Sequence, residues 1–231
     1  MKLCVIPARG GSKRIKKKNI KNFCGKPIIA WSIQLAIASK YFDKIIVSTD
    51  DNEIADLARS YGADVPFVRP KILSNDYTGT VPVISHAIKW QIKHCQKPIY
   101  VCCIYATAPF VKLSDIKYGL KILKSSSSEY AFSATNYAYP IQRSFRIKKN
   151  KKIKMLYPEH YNSRSQDLEE VFHDAGQFYW GLTDAWLKNK PIVSENAIPI
   201  MIPRDQVHDI DTLEDWQIAE KMFRTFNKKK L

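Results

Sequence analysis

The chain has 231 residues, 45% hydrophobic and 26% charged, with a formal net charge of +15. That composition excludes a chain disordered along its whole length, and the lack of any apolar run of about 18 residues excludes a membrane-spanning helix. Five cysteines, an odd number without a CxxC pair, argue against a disulfide framework or a zinc site and predict buried, reduced thiols.

The length suits one domain over residues 1–231. In chain order, residues 3–6 read as a buried strand and 27–39 as a helix. Residues 44–48 read as a second strand. A helix over 51–61 starts from an acidic cap and ends at Gly62. Residues 65–68 read as a third strand. The helix over 80–94 tolerates Pro82 in its first turn. A strand over 99–105 carries Cys102 and Cys103 on opposite faces. The helix over 114–124 takes Ser114 as its N-cap, and 130–135 is a strand. Residues 136–170 break the rhythm. A hairpin-like lysine turn near Asn150 sits inside them, and they predict an excursion from the main sheet. Short strands at 178–180 and 198–202 return, and a helix over 212–226 closes the chain. The alternation of strands and helices predicts a doubly wound α/β fold, a mostly parallel sheet with helices on both faces.

The N-terminal apolar run is too short for a signal-peptide core, and Arg9 follows it, so a cytoplasmic location is expected. Lysines gather at 16–18 with Lys21, at 148–152 and at 228–230. Phosphate attraction makes a nucleic-acid-binding module a reading to weigh. The second and third groups read as a solvated loop and tail, so neither a nucleic-acid nor a membrane partner is expected. The first group differs because of where it sits.

In an open parallel sheet, ligands gather outside the carboxyl ends of the strands. The first such end carries Ala8-Arg9-Gly10-Gly11-Ser12-Lys13-Arg14. Its glycines let backbone N–H groups approach an anion, and its cations supply charge. It is neither a Walker A loop nor a dinucleotide fingerprint, and an ordinary turn is the competing reading. Lys18 and Asn19 follow within reach. Other strand ends carry Ser48-Thr49-Asp50-Asp51 and Ala106-Thr107-Ala108-Pro109. Late in the chain, Asp209 and Asp211 stand two apart in an extended segment, where hard oxygen ligands suit Mg²⁺. The competing reading is that Asp211 caps the last helix with Glu214 completing a capping box. His173-Asp174-Ala175-Gly176-Gln177 precedes the aromatic Phe178-Tyr179-Trp180, and a structural histidine is an alternative there.

Ile6-Pro7-Ala8-Arg9-Gly10-Gly11-Ser12-Lys13-Arg14, then Lys18-Asn19-Ile20, resembles the motif of the acylneuraminate (nonulosonate) cytidylyltransferases. Ile46-Val47-Ser48-Thr49-Asp50, Arg69-Pro70 and Asp209-Ile210-Asp211-Thr212 resemble the family's later blocks. Cys102-Cys103-Ile104-Tyr105-Ala106-Thr107-Ala108-Pro109-Phe110, Pro140-Ile141-Gln142-Arg143, Arg164-Ser165-Gln166-Asp167-Leu168-Glu169-Glu170 and the run from His173 to Gly181 are similar to its pseudaminate branch. The resemblance implies a reaction of CTP with a nine-carbon 2-keto sugar acid, most closely pseudaminic acid, releasing pyrophosphate. Legionaminate, N-acetylneuraminate and 3-deoxy-manno-octulosonate are alternative acceptors. A sensor that binds the nucleotide without turnover is an alternative from another class.

Under this resemblance, Ala8, Arg9, Gly10, Gly11, Ser12, Lys13 and Asn19 bind nucleotide. Arg69 and Thr80 are carried over as further nucleotide contacts. Arg9, Lys13, Lys18, Asp209 and Asp211 are expected to act in catalysis, with Mg²⁺ on Asp209 and Asp211. Tyr105, Gln142, Arg143, His173 and Gln177 are expected to bind the sugar. The excursion over 136–170 implies a homodimer in which Arg164 reaches the partner's site.

Overall fold

A computed structural model describes residues 1–228, so Lys229 and Lys230 of the lysine tail lie outside the described residues. The strands are β1 (Lys2–Pro7), β2 (Asn22–Phe23), β3 (Lys26–Pro27), β4 (Lys44–Ser48), β5 (Tyr100–Ile104), β6 (Tyr130–Asn136), β7 (Phe145–Ile147), β8 (Ile153–Met155), β9 (Phe172–Leu182) and β10 (Ala197–Met201). The helices are α1 (Ile28–Ser39), α2 (Asn52–Ser60), α3 (Thr80–His94), α4 (Leu113–Ser125), α5 (Thr183–Leu187) and α6 (Leu213–Lys228).

The central sheet has six strands in the order β10-β6-β9-β5-β1-β4. β1 pairs in parallel with β4 and β5, and β10 with β6. β9 alone runs antiparallel, between β5 and β6. The fold is therefore α/β and mostly parallel, with helices on both faces. Cys4 and Cys102 belong to the core beneath α1, α2 and α4, whereas Cys103 belongs to the opposite core beneath α3 and α5. Those three thiols are buried, while Cys24 is half-buried and Cys95 exposed. A third cluster joins Ile15, Phe23 and Ile28 to Ile210, Trp216 and Phe223. It fastens α6 to the segment that follows β1.

Four sequence expectations need correction. Residues 65–68 form no strand; only isolated bridges link Asp64 to Ile46 and Val68 to Thr49. Pro66 removes a ladder donor in that run. Ser114 is not the cap of α4. The helix starts one residue earlier, from extended Lys112, and the Ser114 hydroxyl donates to Asp115 Oδ1. Residues 178–180 are the middle of the 11-residue β9 rather than a short strand. The cap of α6 is Thr212, not Asp211: Thr212 Oγ1 accepts the Asp215 N–H at 3.1 Å, and Asp215 Oδ2 accepts the Thr212 N–H at 2.7 Å. This reciprocal pair is a capping box one residue later than the sequence suggests.

The excursion over 136–170 contains the β7–β8 hairpin, which forms a two-stranded sheet of its own. Its turn carries Lys151 with φ 62° and Asn150 accepting the Lys152 N–H. Phe145, Ile147 and Ile153 on its strands are exposed.

Gly181 on β9 is a point where the sheet admits no side chain. A Cβ there meets Trp186 Nε1 at 2.4 Å and Tyr130 Cε1 at 2.6 Å. Both rings are fully or nearly fully buried. Gly181→Ala is therefore expected to lower the unfolding free energy by about 1–3 kcal/mol through overpacking, as read by urea denaturation.

Candidate active site

The carboxyl ends of β1, β4, β5 and β6 share one edge of the sheet. The start of β9 reaches the same edge because that strand runs backwards. Two clefts lie there, of about 520 Å³ and 590 Å³. Tyr105 and Thr107, just past β5, belong to the walls of both.

The first cleft is cationic. Arg9, Lys13, Arg14, Lys18 and Arg69 line it, against the carboxylates of Asp76 and Asp211. Ser12, Asn19 and Thr80 complete the set of sequence candidates in its wall. Ala8, Gly10 and Gly11 form the loop backbone behind them. That loop is held at several points: the Ala8 N–H donates to Ser48 O at 2.9 Å, and the Gly10 N–H to Asp50 Oδ1 at 3.0 Å. Asn19 Nδ2 donates to Arg9 O at 2.9 Å, so Asn19 shapes the loop. Gly10 is obligatory, since a Cβ there meets Asp51 Oδ2 at 2.6 Å. Arg69 is buried, and burial lowers its pKa while Asp50, 3.5 Å away, opposes the shift.

Two carboxylates counter the cations of this cleft. Asp76 lies 2.5 Å from both Arg9 Nη1 and Lys13 Nζ. Hydrogen bonds from Lys13 and Arg9 hold its carboxyl below the usual carboxylate range. Asp211 Oδ1 lies 2.8 Å from Arg14 Nη2 and 3.6 Å from Lys18 Nζ. Because Thr212 and Asp215 cap α6, the Asp211 side chain is left to the cleft. Ile210, 2% exposed, is driven into the third core cluster and fixes the chain between the two aspartates. Asp211 lines the first cleft and Asp209 the second. Among the described residues, no group of three or more His, Cys, Asp or Glu side chains is arranged to hold a metal ion. Asp211 alone faces the cationic cleft, where a carboxylate suits Mg²⁺ with phosphate oxygens completing its shell, whereas Asp209 faces the neighbouring cleft.

The second cleft mixes apolar and polar walls. Phe110, Ala138, Ala175 and Val207 line it beside Thr135, His173, Asp174, Gln177 and Tyr179. Asp174 accepts the Tyr179 hydroxyl at 2.8 Å and the Gly176 N–H at 2.8 Å. Burial, then neighbouring Tyr105 and Asp174, push the Tyr179 phenol far up, which keeps it a donor. Tyr105 packs on Tyr179 with ring centroids 5.2 Å apart, and its hydroxyl lies 2.6 Å from Thr80 Oγ1. Burial raises the Tyr105 phenol as well.

Three sugar-site candidates lie outside both clefts. Gln142 is buried, with Nε2 donating to Glu169 O, so it braces the excursion. Arg143 donates to Ser163 O at 2.6 Å. Arg164 is held by Asp167 through two bonds of 2.7 and 3.1 Å. The sequence reading gave no role to Asp76, Asp174 or Tyr179. Asp76 sits in the polar run Asn75-Asp76-Tyr77-Thr78-Gly79 ahead of α3, a usable turn signal. The other two become visible only once the direction of β9 is known.

The Cytidylyltransferase family model matches residues 3–202. A pseudaminic acid cytidylyltransferase of Campylobacter jejuni is 45% identical over 224 residues, covering 96% of each chain. A CMP-N,N'-diacetyllegionaminic acid synthase of Legionella pneumophila is 33% identical, covering 95% of each. A solved CMP:2-keto-3-deoxy-manno-octonic acid synthetase, complexed with CTP, superposes with a TM-score of 0.71 over 97% of this chain and 98% of its own, at 13% identity. At that identity the likeness is one of fold. A family match across most of the chain, close relatives over nearly full length and a cationic cleft at the carboxyl edge agree: the chain belongs to the cytidylyltransferase family and is a nucleotidyltransferase.

Proposed function

We propose that the protein joins CTP to pseudaminic acid, a nine-carbon 2-keto sugar acid, forming the CMP-sugar and pyrophosphate in the cytoplasm for surface or flagellar glycan synthesis. The observation that carries this reading is the shared wall at Tyr105 and Thr107. It sets an anion cleft beside a pocket large enough for a sugar acid. The C. jejuni relative supports pseudaminate as the acceptor.

The anomeric hydroxyl gives up its proton to water as its oxygen attacks the α-phosphorus, the bond to the bridging oxygen breaks, and pyrophosphate leaves. Arg9, Lys13, Arg14 and Lys18 offer the charge that the leaving group needs as it develops. Arg9 and Lys13 must first exchange the Asp76 carboxylate for phosphate. Both partners of those ion pairs are a third or more exposed, and exposed pairs are weak enough to be displaced. Asp211 and Asp209 would hold Mg²⁺, which supplies further neutralisation of phosphate oxygens when bound. Tyr105 and Tyr179 form a rigid wall that keeps the sugar against the nucleotide.

Pyrophosphate release, measured with four nucleoside triphosphates and a panel of sugar acids, tests the reading. CTP with pseudaminate is expected to be fastest. Faster turnover with ATP or GTP contradicts it, and a preference for legionaminate or N-acetylneuraminate replaces the acceptor. Asp211→Asn and Asp209→Asn are expected to lower kcat on the order of a hundredfold with little change in Tm. Near wild-type kcat in both variants removes the pair from the catalytic set.

The exposed apolar residues of the β7–β8 hairpin support a homodimer, and the position of Arg164 outside its own clefts supports its use by a partner. Mixing Arg9→Ala with Arg164→Ala, each nearly inactive alone, is expected to restore about a quarter of wild-type activity under two-fold symmetry. No recovery, or a monomer in sedimentation, contradicts the shared site.

A further inference from the structure

Seven buried side-chain polar atoms among the described residues have no hydrogen-bond partner, and they belong to Ser48, Ser85, His86, Gln91, Thr135, Gln142 and Gln177. Two of these residues, Thr135 and Gln177, stand in the wall of the second cleft. Thr135 is 2% exposed near the end of β6, and Gln177 is 4% exposed on β9. The Gln177 amide is oriented by its Nε2, which donates to Gln206 O at 2.5 Å, so its Oε1 is the free acceptor. A buried hydroxyl or amide oxygen without a partner destabilises the fold. Two of them in one cleft wall point to a ligand that completes their bonding.

The chemistry of that ligand follows from the wall. An amide carbonyl only accepts, while a hydroxyl accepts and donates. Asp174 nearby already accepts one donor on each oxygen. Ala138, Ala175 and Val207 add apolar surface to the same cleft. An acylamino substituent presents this combination: an N–H donor, a carbonyl acceptor and an apolar methyl.

We infer that Thr135 is a specificity-determining residue which, with Gln177, binds acylamino groups of the sugar acid. The inference rests on the sugar-acid reading above and adds Thr135, which the sequence motifs do not mark. Of the sequence candidates for sugar selection, Tyr105, His173 and Gln177 line this cleft and Gln142 lies outside it.

Thr135→Val keeps the side-chain shape and removes only the hydroxyl. It is expected to leave Tm unchanged or raise it, to raise KM for pseudaminate roughly tenfold, and to leave KM for CTP unchanged. Thr135→Ser, which keeps the hydroxyl, is expected to retain a sugar KM close to wild type. An unchanged sugar KM in Thr135→Val overturns the inference. So does a fall in Tm of several degrees with both KM values rising together, which marks a structural hydroxyl. A Ser variant as impaired as Val also overturns it, since shape then matters and the hydroxyl does not. Failure of the sugar-acid reading is distinguishable, because it appears as absent pseudaminate turnover in the wild-type enzyme before any variant is compared.

Discussion

The antiparallel course of β9 is the constraint on which the site depends. In a purely parallel sheet, the residues preceding Phe178 would lie at the amino edge, away from the nucleotide loops. Reversal of this one strand carries His173, Asp174 and Gln177 to the carboxyl edge, beside the ends of β5 and β6. Fully or nearly fully buried Phe178, Tyr179 and Trp180 hold it there. Trp180 Nε1 donates to Ile116 O of α4 at 2.9 Å, which ties the strand to a helix on one face. Gly181 lets Tyr130 and Trp186 close over the strand on the other. Where the register with β6 shifts between Phe132 and Ala134, Ser133 Oγ accepts the N–H groups of Gln177 and Phe178. A hydroxyl thus replaces lost ladder acceptors, and the strand stays seated where it begins to form the pocket.

Charge in the first cleft is organised into two clusters, each built on one carboxylate. Asp76 sits between Arg9 and Lys13, and Asp211 between Arg14 and Lys18. Each carboxylate limits the mutual repulsion of a crowded set of cations. The depressed pKa of Asp76 means that its contribution is present above the usual carboxylate pKa and is lost as pH falls through the folded value. The backbone beneath these groups is fixed by apolar contacts. Ile15 and Ile210 enter the same cluster, so the loop of cations and the loop of aspartates are two sides of one small core.

Much of this was legible in the sequence because the signals were local. The bounds of β4 and α3 follow from β-branched runs and helical spacing, and Asp51 caps α2 by accepting the Ile54 N–H. The basic loop after β1 lines a cleft at the carboxyl edge, where the strand-end rule for parallel sheets points. What escaped was relational. The two-residue turn at Cys24 and Gly25, both at positive φ, closes a hairpin too short to show a period. The cap of α6 lies one residue later than the competing reading of Asp211 places it, at Thr212. Gln142, Arg143 and Arg164 carry the chemistry of substrate contacts, yet they are engaged by bonds within the excursion. Composition cannot separate a ligand-facing arginine from one that braces a loop.

Tyr105 shows how the two clefts become one site. Its ring packs on Tyr179 in the wall of the second cleft, and its hydroxyl meets Thr80 at the start of α3 in the first. A half-buried ring held at both ends cannot shift toward one cleft without disturbing the other. Interiors packed at this density transmit displacement rather than absorb it. The two clefts are therefore mechanically coupled through a single side chain. The ring that shapes the second cleft thus also fixes its distance from the loop after β1, because the same side chain stands in both walls.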